Sequence, residues 1–289
     1  MTNQELLRRP EIFTNREETD YAEQELIEMI EQDSVLIIGN VFDWDYQRRG
    51  LRVSFGKGLL GFIPEDEITI RNMRYQRGFK MPKDAFFLIG KNVIAKVTNH
   101  NVYRREFELS RKMSMKKSIS VLKAGDIVEA AIESINEKAM ILDVGAGNLA
   151  WMSWKDFSKV PYNSIDNIGF EKGEWLNVFV DSIKDTRIQV SRKKAFRDYE
   201  EARKEYQENE NIVAMITDYR NSEDHELYEF SYWVEIEPNV PGILDTHKAL
   251  PIGKIADLRI LSVKDKGLKL RLASWKFSVI QINKRLGIA

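Results

Sequence analysis

Residues 71–87 read RNMRYQRGFKMPKDAFF, in which Arg71, Arg74, Arg77, Lys80 and Lys83 are interleaved with Tyr75, Phe79, Phe86 and Phe87, and no acid appears before Asp84. Cationic side chains neutralise phosphates and aromatic rings stack on flat bases, so this pattern has the chemistry of a single-strand groove. Arg48, Arg49 and Arg52 form a second basic group, and Arg104 with Arg105 a third. Residues 34–117 carry 17 basic and 8 acidic side chains, a net of +9, which is a large field for one small domain to present. The plainer alternative is a solvated basic loop; Phe86 and Phe87 are expected to be buried in the core.

Other reactive patterns do not assemble. The chain has no cysteine, which excludes disulfides, thiolate metal sites and a thiol nucleophile, and its three histidines, His100, His225 and His247, are scattered. Gly56, Gly58 and Gly61 satisfy G-x-G-x-x-G after a strand pattern, but Pro64 follows and no long helix succeeds it. They read as hairpin glycines rather than a dinucleotide site. Asp43 with Asp45, and Glu65 with Asp66, lack a recognisable partner base and read as solvated turn acids rather than a nuclease metal site. The expectation is a protein that is not an enzyme and holds no cofactor or metal.

Short strands must position the basic and aromatic groups. Period-two runs VLIIGNVFDW, LRVSF, VIAKV and FELS are followed by IVEAAIESI, MILDVG, WLNVFVDSI and RIQVS, then by NIVAMITDY, YWVEIE, KIADLRILSV and LKLRLA. This recurrence predicts three like β-domains over 34–117, 118–195 and 210–274. Residues 1–33 carry 3 basic and 10 acidic side chains. They predict an acidic helix over 20–32, capped by Asp20, with Ala22, Leu26, Met29 and Ile30 on its apolar stripe. Residues 196–209 lack Gly and Pro and predict a helical spacer, SMKKSIS a short join, and 275–289 a tail that forms a strand or helix. No run approaches the roughly 18 apolar residues of a membrane span, and the N-terminus lacks the basic-then-apolar order of a signal peptide. A cytoplasmic location is expected.

The repeated pattern resembles the S1 RNA-binding domain. SFGKGLLGFIPEDEI closing on FELSRK, DVGAGNLAWMSWKDF closing on IQVSRK, and VEIEPNVPGILDTHKAL closing on LKLRLAS carry the likeness. The third stretch lacks both the Gly-rich turn and the SRK ending. The resemblance implies a mostly β chain of three tandem five-stranded OB-fold barrels, with single-stranded RNA, mRNA above all, lying across the second and third strands. It places the family's paired aromatics at Phe230 and Trp233 in the third barrel, Arg49 and Arg52 in the first, and Lys138 and Ile141 in the second. The family's frequent histidine falls on Pro64, Ser153 and Asp245, and its basic residue near the last strand on Arg187 and Lys269. Trp151, core-like after Ala150, and Trp154, covering a barrel end, are read as structural. The resemblance further implies a ribosomal protein S1-like role in translation, with the small ribosomal subunit or another RNA-processing complex as partner. A protein-interaction scaffold, or an accessory RNA-binding subunit of decay or transcription machinery, is the alternative. The acidic helix would dock on a basic partner or fold back on the basic barrel.

Overall fold

The computed structural model describes residues 3–11, 22–30, 36–55, 58–162, 168–221 and 227–273. The expected Asp20 cap, Gly56, His225 and the 275–289 tail lie outside these residues. Three closed five-stranded barrels follow one another. Barrel 1 comprises β1 (Leu36–Asp45), β2 (Gly50–Phe55), β3 (Leu59–Pro64), β4 (Asn92–Asn101) and β5 (Glu106–Ser110). Barrel 2 comprises β6 (Ile127–Ile135), β7 (Ala139–Asp143), β8 (Leu149–Ser153), β9 (Trp175–Lys184) and β10 (Arg187–Ser191). Barrel 3 comprises β11 (Asn211–Tyr219), β12 (Phe230–Glu235), β13 (Pro241–Thr246), β14 (Ile255–Lys264) and β15 (Gly267–Leu272). Each closes in the order first, second, third, fifth, fourth, the topology that the OB-fold expectation requires. The chain divides into two compact units, Met1–Ala131 with Leu142–Ala150 and Ser182–Ile188, and Ile132–Ile141 with Trp151–Asp181 and Gln189–Ala289. Each unit is described separately.

In the first unit, strand alternation sends Leu51, Val53 and Phe55 into barrel 1. A bulge between Val41 and Asp43 re-aims the extra residue, Phe42, toward solvent. Gly61 is required by close approach, since a Cβ there would stand 2.4 Å from Leu109 Cδ1. Helix α1 (Asn3–Arg8) precedes α2 (Glu23–Ile30), whose Leu26 is buried in the barrel 1 core with Ile30 packed against it. The acidic helix therefore folds back on the basic barrel, and Glu23 lies 3.3 Å from His100 Nε2 on β4. Helix α3 (Lys83–Phe86) is a single turn between β3 and β4.

After β5 the short join expected at SMKKSIS is instead part of α4 (Arg111–Val121). Ser110 caps it by accepting from Met113 N at 3.0 Å. An apolar-period reading misses this helix because its buried stripe is Arg111, Ser114, Met115 and Ser118. Ser114 Oγ donates to Ile94 O at 2.5 Å and Ser118 Oγ to Gly145 O at 3.3 Å, so hydroxyls replace methyl groups as the anchors.

Arg111, from the SRK ending, is buried and donates to Glu11 at 2.6 and 2.9 Å. Glu11 N in turn donates to Asp143 Oδ2 at 2.6 Å. The turn after Asp143 must approach closely: Gly147 has φ 73°, and a Cβ on it would meet Arg111 Nη2 at 1.8 Å. Burial first, and then the facing charge of Glu11, push the Asp143 carboxyl up to about 7, against the lowering pull of Arg111 and of the N–H groups of Glu11 and Gly145. The folded state thus retains a proton that the unfolded chain loses near 3.8. This group's contribution to stability is complete below about pH 4 and is lost as pH rises through about 7. We predict that stability falls between about pH 4 and 7, by up to about 1.4 kcal/mol per pH unit from this group. Denaturant titrations should show that fall reduced in Asp143→Asn, and identical profiles for the two proteins would refute the assignment.

In the second unit, the expected spacer over 196–209 is helical only at α5 (Tyr199–Ala202) and a 3-10 turn at Arg203–Glu205. Tertiary contacts override its helical pattern. Tyr199 and Ala202 join the barrel 3 core, Arg197 pairs with Glu205 and Glu237, and Arg203 with Asp265. Arg192, from the second SRK ending, is fully buried against Glu235 on β12 at 3.1 Å. Among the described residues, no helix is long and apolar enough to cross a membrane.

Candidate nucleic-acid interface

Two hairpin turns, residues 46–49 between β1 and β2 and 102–105 between β4 and β5, are tied together by Arg48. Its guanidinium lies 2.5 Å from Glu106 Oε1 and donates to Oε2 at 3.0 Å, while stacking 3.6 Å over the Phe62 ring. Arg48 thus builds the surface rather than standing free on it. Arg49, at φ 53°, donates to Glu65 at 2.7 and 3.0 Å and to Tyr75 Oη at 2.6 Å, and Tyr75 donates to Glu65. These bonds, Tyr75 first and then Glu65, hold the Arg49 guanidinium above its ordinary range. They also tie the first turn to the loop that carries Tyr75.

Arg52 points outward on β2 as alternation requires, 3.7 Å from Asp43 and 4.9 Å over Phe42. In register it stands opposite Phe62 on β3. Arg74 is bound to Asp84 at 2.7 Å through its side chain and 2.8 Å through its backbone. Burial alone would raise the Asp84 carboxyl, but the donors of Arg74 hold it below its usual range. Arg71 donates to the carbonyls of Leu149 and Thr186 at 3.1 and 3.3 Å and acts as a clamp within the first unit. Arg77, Lys80, Arg104 and Arg105 are exposed, and their side chains have no hydrogen-bond or ion-pair partner among the described residues. They belong to the unneutralised part of the basic field.

The aromatic inventory differs from expectation. Phe79 is exposed as expected, but Phe86 and Phe87, expected in the core, are 60% and 49% exposed. Ala85 in α3 and Leu88 just after it are committed to the interior, which leaves the two rings between them outside. Sequence reasoning missed the exposed Phe42 and above all Tyr103, whose side chain is wholly exposed beside Val102 at the second hairpin tip. The signal was present in NVYRRE, a turn between two strands that spends its tip on a valine and a tyrosine.

In the second unit, Trp233 faces outward on β12, beside Ile243 on β13, and Ile243 is in register with Lys269 on β15. Arg220 lies 5.7 Å over the Trp233 ring. Lys269 is 4.0 Å from Asp245, which also accepts from Ser231 at 2.7 Å. Phe230 does not share this surface. It stands an odd number of positions from Trp233 on a continuous strand, stacks 6.4 Å from Tyr232 and packs on the barrel core.

Barrel 2 offers Lys138, exposed in the turn before β7, and Arg187, exposed at the start of β10. Trp151, expected in a core-like position, is instead exposed on β8, because its neighbours Ala150 and Met152 take the inward places. Trp154 is structural, donating to Asn136 O at 3.1 Å and meeting Phe157 edge-on. Among the described residues, no three histidines or carboxylates are grouped to hold a metal.

No protein-family model and no curated protein matches the chain. Among solved structures it is similar to a multidomain protein with nucleic acid binding domains from Streptococcus pneumoniae, with 16% identity, over 86% of this chain and 76% of that one, at a TM-score of 0.29.

Proposed function

We propose that this chain is a non-enzymatic protein that binds single-stranded RNA through its tandem OB-type barrels. The observation that carries this reading is the Arg48–Glu106 tie, which sets the first and second hairpin turns of barrel 1 side by side. Those turns flank the face of strands two and three, where OB barrels receive oligonucleotides. Exposed Tyr103 and the free Arg104 and Arg105 lie in the second of those turns, and Arg49, bonded to Tyr75, lies in the first. Cations without partners supply backbone attraction, and Tyr103 and Phe79 supply rings for stacking. The Trp233, Ile243 and Lys269 row is a second, separate stacking platform, with Arg220 supplying the cation that exposed stacking needs.

The S1 resemblance extends the reading to mRNA and to translation in the cytoplasm, with the small ribosomal subunit as the partner to try first. Two experiments test the binding claim. Fluorescence anisotropy should show the full chain binding a labelled single-stranded RNA more tightly than a duplex of the same sequence. Equal affinity for both would contradict single-strand recognition. Trp233→Ala should weaken binding by about 1 to 3 kcal/mol, the usual contribution of one stacked base. An unchanged affinity would remove barrel 3 from the interface.

A further inference from the structure

Two adjacent exposed phenylalanines on a one-turn helix are an unusual expenditure of apolar surface, and nothing in the barrel core calls for them. Phe86 and Phe87 stand edge to face with centroids 5.9 Å apart, and Lys83 Nζ lies 5.6 Å over the Phe87 ring. The helix is tied to the loop that reaches barrel 1's first hairpin. Lys83 N donates to Arg74 O at 2.8 Å, and the neighbouring Tyr75 bonds Arg49. The one acid of this helix, Asp84, is already occupied by Arg74. The side chains left to meet a ligand are therefore two rings, Lys83 and, in the preceding loop, the unpartnered Arg77 and Lys80.

Rings with uncompensated cations fit bases on a phosphate backbone better than the apolar patch of a protein, which would leave those cations unanswered. We infer that α3 is a second stacking platform of barrel 1, which takes bases of the same single strand after it leaves the strand-two and strand-three face. This inference rests on the RNA-binding reading above and lengthens its site beyond the groove between the hairpins.

The test is a titration of the full chain and of Phe86→Ala/Phe87→Ala with oligouridylates of about five and about fifteen nucleotides, lengths that fit one OB groove and more than one. Both rings are exposed, and the buried Ala85 and Leu88 are untouched, so the variant keeps its fold. The variant should bind the long oligomer roughly tenfold more weakly and the short one as wild type does. Its salt dependence should be unchanged, because no charge is removed. A long oligomer carrying 2-aminopurine at successive positions should lose fluorescence on binding wild type at one or more positions where the variant leaves it bright. If the variant binds the long oligomer as tightly as wild type, the platform serves another partner and the inference fails while the groove reading stands. If wild type binds neither oligomer, both fall.

Discussion

Glu235→Ala should destabilise the second compact unit by about 3 to 5 kcal/mol, the usual cost of leaving one member of a buried ion pair without its partner. Both Arg192 and Glu235 are wholly excluded from solvent. Glu235 accepts from Arg192 at 3.1 and 3.3 Å, from Tyr162 Oη at 2.5 Å, from Asn239 N at 3.1 Å and from Ser158. Burial, and then the Glu235 charge, hold the Tyr162 phenol well above its ordinary range, so it stays a donor at any physiological pH. Removing the carboxylate leaves a buried guanidinium surrounded by the rings of Phe157, Phe170 and Phe196. Arg192→Met combined with Glu235→Leu should recover only part of the loss, because the charges leave together while Tyr162, Ser158 and the Asn239 N–H still lose their acceptor. Urea denaturation followed by circular dichroism measures both, and a loss below about 1 kcal/mol for Glu235→Ala would show that the pair is dispensable.

The second large effect concerns affinity. Arg77→Ala, Lys80→Ala and Arg104→Ala combined with Arg105→Asn should weaken single-stranded RNA binding by roughly tenfold to a hundredfold at low salt. Asparagine is chosen at position 105 because the backbone there has φ 51°, a conformation it tolerates better than alanine. These four cations are picked over Arg48, Arg49, Arg71 and Arg74 because the latter are engaged with Glu106, Glu65, backbone carbonyls and Asp84. Changing the engaged arginines would confound binding with folding. The four-residue variant should unfold at the same denaturant concentration as wild type, and unaltered affinity would place the interface elsewhere.

The barrels were legible because period-two alternation recurs in the same strand order in all three repeats, with Gly-rich turns in the first two, and alternation correctly turned Arg52 and Trp233 outward. The same rule, applied strictly, separates Phe230 from Trp233. Counting motif positions instead treated them as a pair. The SRK endings were read as family marks, yet Arg111 and Arg192 are buried ion-pair partners of Glu11 and Glu235. No local pattern reveals such a role, because each partner lies far away in sequence. Helix α4 was hidden for a related reason, since its buried stripe of hydroxyls and a guanidinium carries no apolar period. Phe86 and Phe87 show the converse: ring character predicts burial on average, but a single helical turn has room for only one inward face. Basic composition singles out barrel 1 in the sequence, while the division into free and engaged arginines depends on acids that only the folded chain brings near.

The most direct test of the central claim is the salt dependence of wild-type binding to a labelled single-stranded RNA of about ten to fifteen nucleotides, a length that spans one or more OB sites. With three to five phosphates neutralised, log affinity should fall linearly against log salt with a slope of about −2 to −3.5. The four-residue variant should show a shallower line. A salt-independent affinity, or no binding at low salt, would contradict an RNA interface on barrel 1 and turn these barrels into docking modules for protein.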